Sequence, residues 1–260
     1  MTTSIIGDLH GHIDAYKRLL TDSALCDADQ NWSGGSTHLW LMGDFFDRGP
    51  AGVACVDLTM KLQRQAAAAG GRVESLTGNH EAMIITAYRH GNARNTHGMR
   101  FKDQWRAWGG IDADFCDLTP RHVDWLSERP VMALEGSTLL MHADALMYAD
   151  YGFDVAAVNE PVQRILGTGG PGEAQRLLTG FAQHMAFHRQ MTSTRLVDQF
   201  LGVFGATGLV HGHTPIPVVT GTKPEAVDGA LAYADGRCVN VDGGIYLGGP
   251  GFVFALCADD

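Results

Sequence analysis

The chain has 260 residues, of which 45% are hydrophobic and 18% are charged, and this balance excludes an intrinsically disordered protein. Its formal net charge of −10 at pH 7 argues against a sequence-independent nucleic-acid-binding protein, because such proteins need a basic surface. The length suits one large α/β domain, and we predict a single domain over residues 1–260 rather than two small ones.

Cysteine usage and hydropathy bear on the compartment in which the protein works. The cysteines are scattered without any C-x-x-C spacing, which favours reduced thiols over a disulfide framework. They are Cys26, Cys55, Cys116, Cys238 and Cys257. No apolar run approaches the roughly 18 residues needed to cross a membrane, and the chain starts without a signal-peptide pattern. We therefore expect a cytoplasmic protein with no membrane partner.

The first ninety residues alternate short apolar runs with amphipathic segments. Strands are predicted at Ser4–Ile6, Thr37–Met42 and Arg72–Leu76. Helices are predicted at Ile13–Leu20, from Pro50 to about Gly70, and at Ala82–Tyr88. This alternation predicts an α/β layer with partly parallel strands and right-handed crossovers.

The rest of the chain combines two helical excursions, near residues 91–128 and 151–204, with several short strands. In the first excursion, Trp105 and Trp108 are predicted to be core residues. Strands are predicted at Val131–Leu134, Ser137–Met141 and Ala206–Val210. Four last runs are interpreted as a second, antiparallel sheet: Pro217–Thr220, Leu231–Ala234, Cys238–Val241 and Phe252–Leu256.

Potential metal ligands follow the ends of five predicted strands. They are Asp8, His10, Asp44, Asn79, His142 and His213. All are oxygen or nitrogen donors, which suits Mn²⁺, Fe, Zn²⁺ or Ni²⁺ better than a thiolate zinc site or an all-oxygen calcium cage. Six donors exceed the needs of one metal, whereas two divalent ions bridged by Asp44 would use them all. We take Mn²⁺ as the first choice.

Three more residues near these ligands suggest phosphoryl chemistry. Arg48 lies four residues after Asp44, and its guanidinium could bind two phosphate oxygens. His80, next to Asn79, could act as a general acid beside a leaving oxygen. Asp47 could orient His80 and keep it protonated.

Five motifs in this order resemble the phosphoprotein phosphatase branch of the calcineurin-like metallophosphoesterases, in particular small bacterial and phage serine/threonine phosphatases. The motifs are Gly7–Gly11, Gly43–Gly49, Gly78–Glu81, His142 in Met-His-Ala-Asp and His213 in Gly-His-Thr-Pro. A late stretch, Val239–Gly244, is also similar, so the resemblance spans most of the chain.

The resemblance implies a four-layer α-β-β-α sandwich of two mixed sheets with the site along one edge. It implies that Asp8 and His10 hold one metal, and that Asp44 bridges to a second. The second metal would be held by Asn79, His142 and His213. The resemblance also implies that His80 with Asp47 acts as the acid and that Arg48 binds phosphate.

The activity implied is phosphomonoester hydrolysis by a metal-bridging hydroxide that attacks phosphorus directly. The substrate would be a phosphorylated protein or a small phosphoester, and Glu81 favours the protein-phosphatase branch. The family usually supplies a second phosphate-binding arginine after the His142 motif. The sequence offers no clear counterpart, and the candidates are Arg164, Arg189 and Arg195.

Two alternatives remain open from the sequence. One is a hydrolase of dinucleoside polyphosphates, in which the tryptophans and three arginines of the first excursion would hold a nucleotide. Those arginines are Arg94, Arg100 and Arg106. The other is a non-catalytic scaffold of the same fold, against which the intact ligand set argues.

Overall fold

A computed structural model describes residues 2–188 and 194–256 of the chain. Arg189 and Cys257, both named above, lie outside these residues. The cysteines within them are free; Cys26, Cys55 and Cys238 are buried, and Cys116 is exposed.

Short strands, each of three or four residues, form the frame of the described part of the chain. They are β1 (Thr3–Ile6), β2 (His38–Leu41), β3 (Arg72–Ser75), β4 (Met132–Glu135), β5 (Thr138–Met141), β6 (Gly208–His211), β7 (Leu231–Tyr233), β8 (Cys238–Asn240) and β9 (Val253–Leu256).

Helices connect most of these strands. They are α1 (Ile13–Asp22), α2 (Gly52–Ala68), α3 (Asn79–His90), α4 (Phe101–Ala107), α5 (Asp112–Asp117), α6 (Pro120–Ser127), α7 (Val155–Thr168), α8 (Pro171–Phe181), α9 (Thr194–Val203) and α10 (Ile216–Thr220). None of the helices in the described ranges is both long and apolar enough to span a membrane.

The strands form two mixed sheets. The first has the order β3-β2-β1-β9, with β1, β2 and β3 parallel and β9 antiparallel to β1. The second has the order β4-β5-β6-β8-β7, with β5, β6 and β8 parallel and the two outer strands antiparallel.

Successive residues of the central strands belong to two different hydrophobic clusters. Ile5, Leu140 and Val210 belong to one buried cluster that lies between the sheets, to which both sheets contribute. The neighbouring residues Ile6 and Leu209 belong to the larger cluster that includes the helices. Because successive side chains in a strand point to opposite faces, each sheet is covered by helices on one side and by the other sheet on the other. This confirms the predicted four-layer α-β-β-α arrangement.

Two predictions for the end of the chain are wrong. Pro217–Thr220 lies in helix α10, which begins after Pro215 and ends at Gly221, whose φ is 72°. The last strands do not form a separate antiparallel sheet, because β8 pairs in parallel with β6 and β9 joins β1 in the first sheet. Both ends of the described chain therefore meet in one sheet.

The parallel strands set the position of the predicted ligands. In each sheet three parallel strands end at the same edge, and the ligand-bearing loops follow those ends. Asp8, Asp44 and Asn79 come from the first sheet, and His142 and His213 come from the second.

Candidate active site

The loop after β1 and the loop after β2 place His10 beside Asp44. The His10 Nδ1 atom lies 2.9 Å from the Phe46 carbonyl oxygen, to which it donates, so its Nε2 atom is left to face the site. That Nε2 atom lies 3.8 Å from Asp44 Oδ2, and both side chains are buried. Burial lowers the pKa of His10 well below its usual range, although the charge of Asp44 opposes this. A neutral imidazole held in this tautomer is suited to bind a metal.

Asn79, His142 and His213 meet on the other side of Asp44. Asn79 Oδ1 lies 2.9 Å from His142 Nε2 and 2.8 Å from His213 Nδ1. His142 Nδ1 donates to the Met42 carbonyl at 2.7 Å, which again leaves Nε2 directed to the centre. The same Nε2 atom lies 3.4 Å from Asp44 Oδ1. One amide oxygen and two imidazoles thus converge beside the Asp44 carboxylate.

Asp44 is common to both compact groups of potential ligands in the described chain, within each of which the donor atoms lie within 4.8 Å of one another. The groups are His10, Asp44 and His80, and Asp44, His142 and His213. Burial alone would raise the pKa of Asp44, but the imidazoles of His142 and His80 outweigh it and hold that pKa well below its usual range. A shared, ionised carboxylate is what a bridging ligand requires.

Asp44 favours the protonated form of His142 when no cation is bound. Burial alone would lower its pKa, but the charge of Asp44 raises the pKa of His142 to about 10. An imidazole must be deprotonated at the atom that binds a metal, so cation and proton compete for the same Nε2 atom.

Asp8 is connected to the other potential ligands by a hydrogen bond from the backbone of His213. Both of its carboxylate oxygens accept from the His213 N–H, at 3.0 and 3.2 Å, although Asp8 belongs to neither compact group. Burial, and then the charge of Asp242, raise the pKa of Asp8 well above its usual range. Several buried carboxylates in one place repel one another, and a cation would remove that repulsion. The donor set and its charge therefore fit divalent metals.

Several of these residues adopt a backbone conformation that is unusual for residues other than glycine. Ten such residues with positive φ occur in the described ranges, and five of them are predicted site residues: His10, Asp44, Asp47, Arg48 and His213. Glycines allow the loops to approach closely, since a Cβ at Gly212 would lie 2.2 Å from Asp8 Oδ1. Backbone strain of this kind is concentrated at functional sites.

His80 is held by a buried chain of hydrogen bonds. Its Nδ1 atom lies 2.6 Å from Asp47 Oδ2, and its Nε2 atom lies 4.0 Å from Asp44 Oδ2. Trp105, from helix α4 of the first excursion, donates its indole N–H to Asp47 Oδ1 at 2.8 Å. Trp105 is buried as predicted, whereas Trp108 is 58% exposed, so the core prediction for Trp108 is wrong.

Arg48 lies between the two histidines of the first group. Its terminal nitrogens lie 3.0 Å from His10 Nε2 and 3.2 Å from His80 Nε2. The guanidinium stacks on Tyr246, with 4.1 Å between its central carbon and the ring centroid. Because His10 Nε2 is also a potential metal-binding atom, a cation there would compete with Arg48 for it.

Two of the candidates for a second phosphate-binding arginine, Arg164 and Arg195, do not contact the proposed site residues in the described structure. Arg164 is exposed and pairs with Glu173, and Arg195 is exposed on α9. Two arginines proposed for nucleotide binding, Arg100 and Arg106, form ion pairs on the surface with Asp103 and Asp112.

Glu81 fixes the Asp44 loop to helix α3. Its buried carboxylate accepts from the backbone N–H groups of Asp44 at 2.7 Å, Phe45 at 2.8 Å and Gly78 at 2.8 Å. Burial, together with the charge of Asp44, raises the pKa of Glu81 to about 7. This carboxylate therefore connects the loops that carry Asp44 and Asn79.

Glu81→Gln is expected to destabilise the metal-free protein by about 1–3 kcal/mol at pH 8, where Glu81 is mostly ionised. An amide has one acceptor oxygen, so at least one of the three buried N–H groups loses its partner. Urea denaturation measures this loss. Glu160→Gln, at an exposed position on α7, is the control and should stay within about 0.5 kcal/mol of the native protein. An equally small effect of Glu81→Gln would contradict this role.

Behind the centre, a second buried network connects two of the ligand loops. The Tyr233 hydroxyl donates to Asp144, which follows His142, and lies 2.7 Å from Nε2 of His211. His211 ends strand β6 and precedes His213, so this network supports both histidine loops. His211 was not predicted to be a ligand, and it lies in neither compact group.

Comparison with known proteins agrees with this geometry. The family model for calcineurin-like phosphoesterases matches residues 1–217 of the chain. The chain belongs to the calcineurin-like phosphoesterase family. Membership in this metallophosphoesterase family agrees with the buried carboxylate and imidazole donors around Asp44 and with the two mixed sheets.

Curated relatives of this metallophosphoesterase match parts of it. Shewanella-like protein phosphatase 2 of Arabidopsis thaliana is 31% identical over 112 residues, which are 43% of this chain and 29% of the relative. The symmetrical bis(5'-nucleosyl)-tetraphosphatase of Dechloromonas aromatica is 32% identical over 146 residues, 56% of this chain and 45% of the relative. The matched segments thus span less than half the length of these relatives.

A solved structure supports the fold over the whole chain. A cold-active protein tyrosine phosphatase superposes with a TM-score of 0.74 and 23% identity, covering 98% of this chain and 73% of that one. The family match and the similarity to Shewanella-like protein phosphatase 2 confirm the predicted resemblance to the phosphoprotein phosphatase branch.

Sequence reasoning missed three residues of the site. Trp105 holds Asp47, Tyr246 stacks on Arg48, and Asp242 acts on Asp8 through its charge. Asp242 and Tyr246 lie in or just after the late stretch that resembles the family, which was the available signal for them. Trp105 lies in the first excursion, where the sequence carries no such signal.

Proposed function

We propose that this metallophosphoesterase hydrolyses phosphate monoesters with the help of two divalent cations. One observation carries the proposal: the Asp44 carboxylate is shared by two compact groups of potential metal ligands. The Arg48 guanidinium lies beside the first group, within hydrogen-bond distance of His10 and His80. We also propose that residues 1–260 act as one domain. The pairing of β9 with β1 supports this, because the last described strand completes the first sheet.

The proposed ligands divide between the two cations, and loops of both sheets contribute to the second one. Asp8 and His10 would hold one cation, Asn79, His142 and His213 would hold the other, and Asp44 would bridge them. When bound, two such cations would lower the pKa of water, so that it can act as the nucleophile at neutral pH. They would also neutralise charge on the phosphoryl group. Mn²⁺ is the proposed metal, because the donors mix carboxylate, amide and imidazole and include no thiolate.

Arg48 is the proposed phosphate-binding residue. Its guanidinium can donate two parallel hydrogen bonds to phosphoryl oxygens, and the stacking contact with Tyr246 limits its rotamers. A fixed positive charge beside the reacting phosphorus stabilises the charge that develops in the transition state.

His80 is the proposed proton donor to the leaving oxygen. Asp47 accepts from Nδ1, which fixes the ring, and Nε2 lies 3.2 Å from the Arg48 guanidinium. Transfer of a proton to the leaving group matters most when that group is a poor one, such as an alkoxide.

The first substrate class that we propose is a phosphorylated protein. It is supported by the motif with Glu81 and by the similarity to Shewanella-like protein phosphatase 2. The similarity to a symmetrical bis(5'-nucleosyl)-tetraphosphatase over 56% of the chain favours a second candidate, hydrolysis of dinucleoside polyphosphates.

A substrate panel on the purified protein distinguishes these candidates. Phosphoserine and phosphotyrosine peptides, p-nitrophenyl phosphate and diadenosine tetraphosphate are each assayed with Mn²⁺, Fe²⁺, Zn²⁺, Ni²⁺ and Mg²⁺. We expect Mn²⁺-dependent release of phosphate from a phosphopeptide with the highest kcat/KM. Preference for diadenosine tetraphosphate would select the second candidate. If none of these substrates were hydrolysed with any of the metals, the result would favour the alternative of a non-catalytic scaffold.

Trp105→Phe is expected to lower kcat about 10-fold for an alkyl phosphate and less than 2-fold for p-nitrophenyl phosphate. The phenyl ring keeps most of the packing but removes the N–H that holds Asp47, and a hydrogen bond to a charged group is worth about 1.5–3 kcal/mol. Leaving-group dependence separates loss of His80 orientation from a general loss of activity.

Trp125→Phe is the matched control for Trp105→Phe. The Trp125 indole N–H donates to Gln63 at 2.9 Å, so this substitution removes a similar hydrogen bond and leaves the contact between Trp105 and Asp47 in place. The control should leave both kcat values within 2-fold of the native protein. Equal losses on both substrates for Trp105→Phe would contradict a role through His80.

A further inference from the structure

Asp242 is a buried carboxylate that the proposed catalytic machinery does not use. It follows strand β8, and its side chain has no exposed surface. Its Oδ1 atom accepts from the Gly244 N–H at 2.9 Å. Its Oδ2 atom is buried and has no hydrogen-bond partner among the residues that the structure describes. An unpaired buried carboxylate oxygen is costly, so such an atom calls for a ligand.

The turn that carries Asp242 lies at the edge where the proposed ligand loops meet, although Asp242 belongs to neither compact group of ligands. Strand β8 lies parallel to β6, so its carboxyl end opens at the same edge as the His213 loop. The turn also packs against the end of β1, since a Cβ at Gly7 would lie 3.1 Å from the Asp242 Cα atom. After burial, the charge of Asp242 helps to raise the pKa of Asp8 above its usual range.

The turn that carries Asp242 is fixed on both sides. The Asp242 N–H donates to Asn240 Oδ1 at 2.8 Å, and its carbonyl oxygen accepts from the Ile216 N–H at 2.9 Å. Tyr246, four residues further on, stacks on Arg48. The free oxygen is therefore held in place by backbone contacts, as a pre-organised ligand would be.

We infer that Asp242 supplies its Oδ2 oxygen to the cation held by Asp8 and His10. This inference rests on the proposed two-metal function. Asp8 and His10 provide only two protein donors besides the shared Asp44, whereas the other half has Asn79 and two histidines. Asp242 would be a third dedicated donor for the first cation, which would give each cation three, and hard divalent cations favour carboxylate oxygen.

The test is metal binding by Asp242→Asn, measured without reference to activity. Native protein titrated with Mn²⁺ is expected to bind two equivalents. The variant should bind one equivalent with native affinity and the second at least 10-fold more weakly, since replacement of a carboxylate by an amide removes the charge. Two equivalents bound with native affinity would overturn the inference and leave the proposed function standing. No Mn²⁺ bound by the native protein would overturn the proposed function itself.

The midpoint of thermal unfolding, Tm, measured with and without Mn²⁺ distinguishes a metal ligand from a residue with a purely structural role. Without metal, Asp242→Asn should raise Tm, because it removes one of several buried negative charges. With saturating Mn²⁺, the stabilisation by metal should be smaller in the variant than in the native protein. Equal losses of Tm with and without metal would indicate a structural role and contradict the inference.

Asp114→Asn is the matched control. Asp114 is also a buried carboxylate, and both of its oxygens are paired, with the N–H groups of Gly52 and Val53 at 3.1 Å each. The Asp114→Asn substitution should lower Tm equally with and without metal and leave Mn²⁺ affinity unchanged. If Asp242→Asn does not fold, a crystal structure of the native protein with Mn²⁺ decides. Asp242 Oδ2 should then lie about 2.2 Å from one ion, and a separation beyond 4 Å would overturn the inference.

Discussion

Asp44→Asn is expected to lower kcat/KM for every phosphoester by at least about 10³-fold and to reduce bound Mn²⁺ from two equivalents to one or none. Asp44 is the one carboxylate that lies in both compact ligand groups of the described chain. The amide keeps the size of the side chain but removes the charge that would bridge the cations, and it leaves His142 without its ionic partner. Metal analysis after dialysis and steady-state kinetics measure the two effects.

Asp22→Asn is the control for this substitution. Asp22 is exposed at the end of α1 and forms a surface ion pair with Arg18. It should retain two equivalents of Mn²⁺ and native kinetics. An Asp44→Asn variant that kept both metals and more than a tenth of the native kcat/KM would contradict the bridging role.

His80→Asn is expected to keep both metals and to lose about 10²–10⁴-fold in kcat for an alkyl phosphate. The variant retains a donor that can reach Asp47 but has no proton to deliver at the position of Nε2. For p-nitrophenyl phosphate, whose leaving group needs little protonation, the loss should be at least 10-fold smaller. Kinetics on both substrates, with metal content measured in parallel, test this expectation.

His97→Asn is the control for His80→Asn, since His97 is exposed in the first excursion. It should change neither kcat nor metal content. A His80→Asn variant with native kcat on the alkyl phosphate would overturn the assignment of His80 as the acid. A variant that lost one metal would instead place His80 among the ligands, with which the structure groups it.

The motifs at the strand ends allowed much of the site to be predicted from the sequence. A short apolar run that ends in glycine and a carboxylate fixes both the strand and the point where it stops, as at Gly7-Asp8 and Gly43-Asp44. Once the strands are parallel, their carboxyl ends must meet at one edge, whatever the length of chain between them. Local pattern and chain topology therefore suffice to bring Asp44 and His142 together.

The parts that sequence reasoning missed depend on contacts between distant segments. The β-branched run Val218-Val219-Thr220 favours a strand, but Pro215 and Pro217 fix the start of a helix there. The four residues of β9 carry no signal for which sheet they join. Trp105 reaches Asp47 across 58 residues of sequence, and nothing in its neighbourhood indicates a polar partner.

The central claim is that two cations lie on either side of Asp44, and one diffraction measurement tests it directly. Crystals grown with Mn²⁺ are measured at a wavelength where manganese scatters anomalously. We expect two anomalous peaks about 3.5–4 Å apart, with Asp44 between them, one beside Asp8 and His10 and the other beside Asn79, His142 and His213. A single peak, or peaks away from Asp44, would contradict the account.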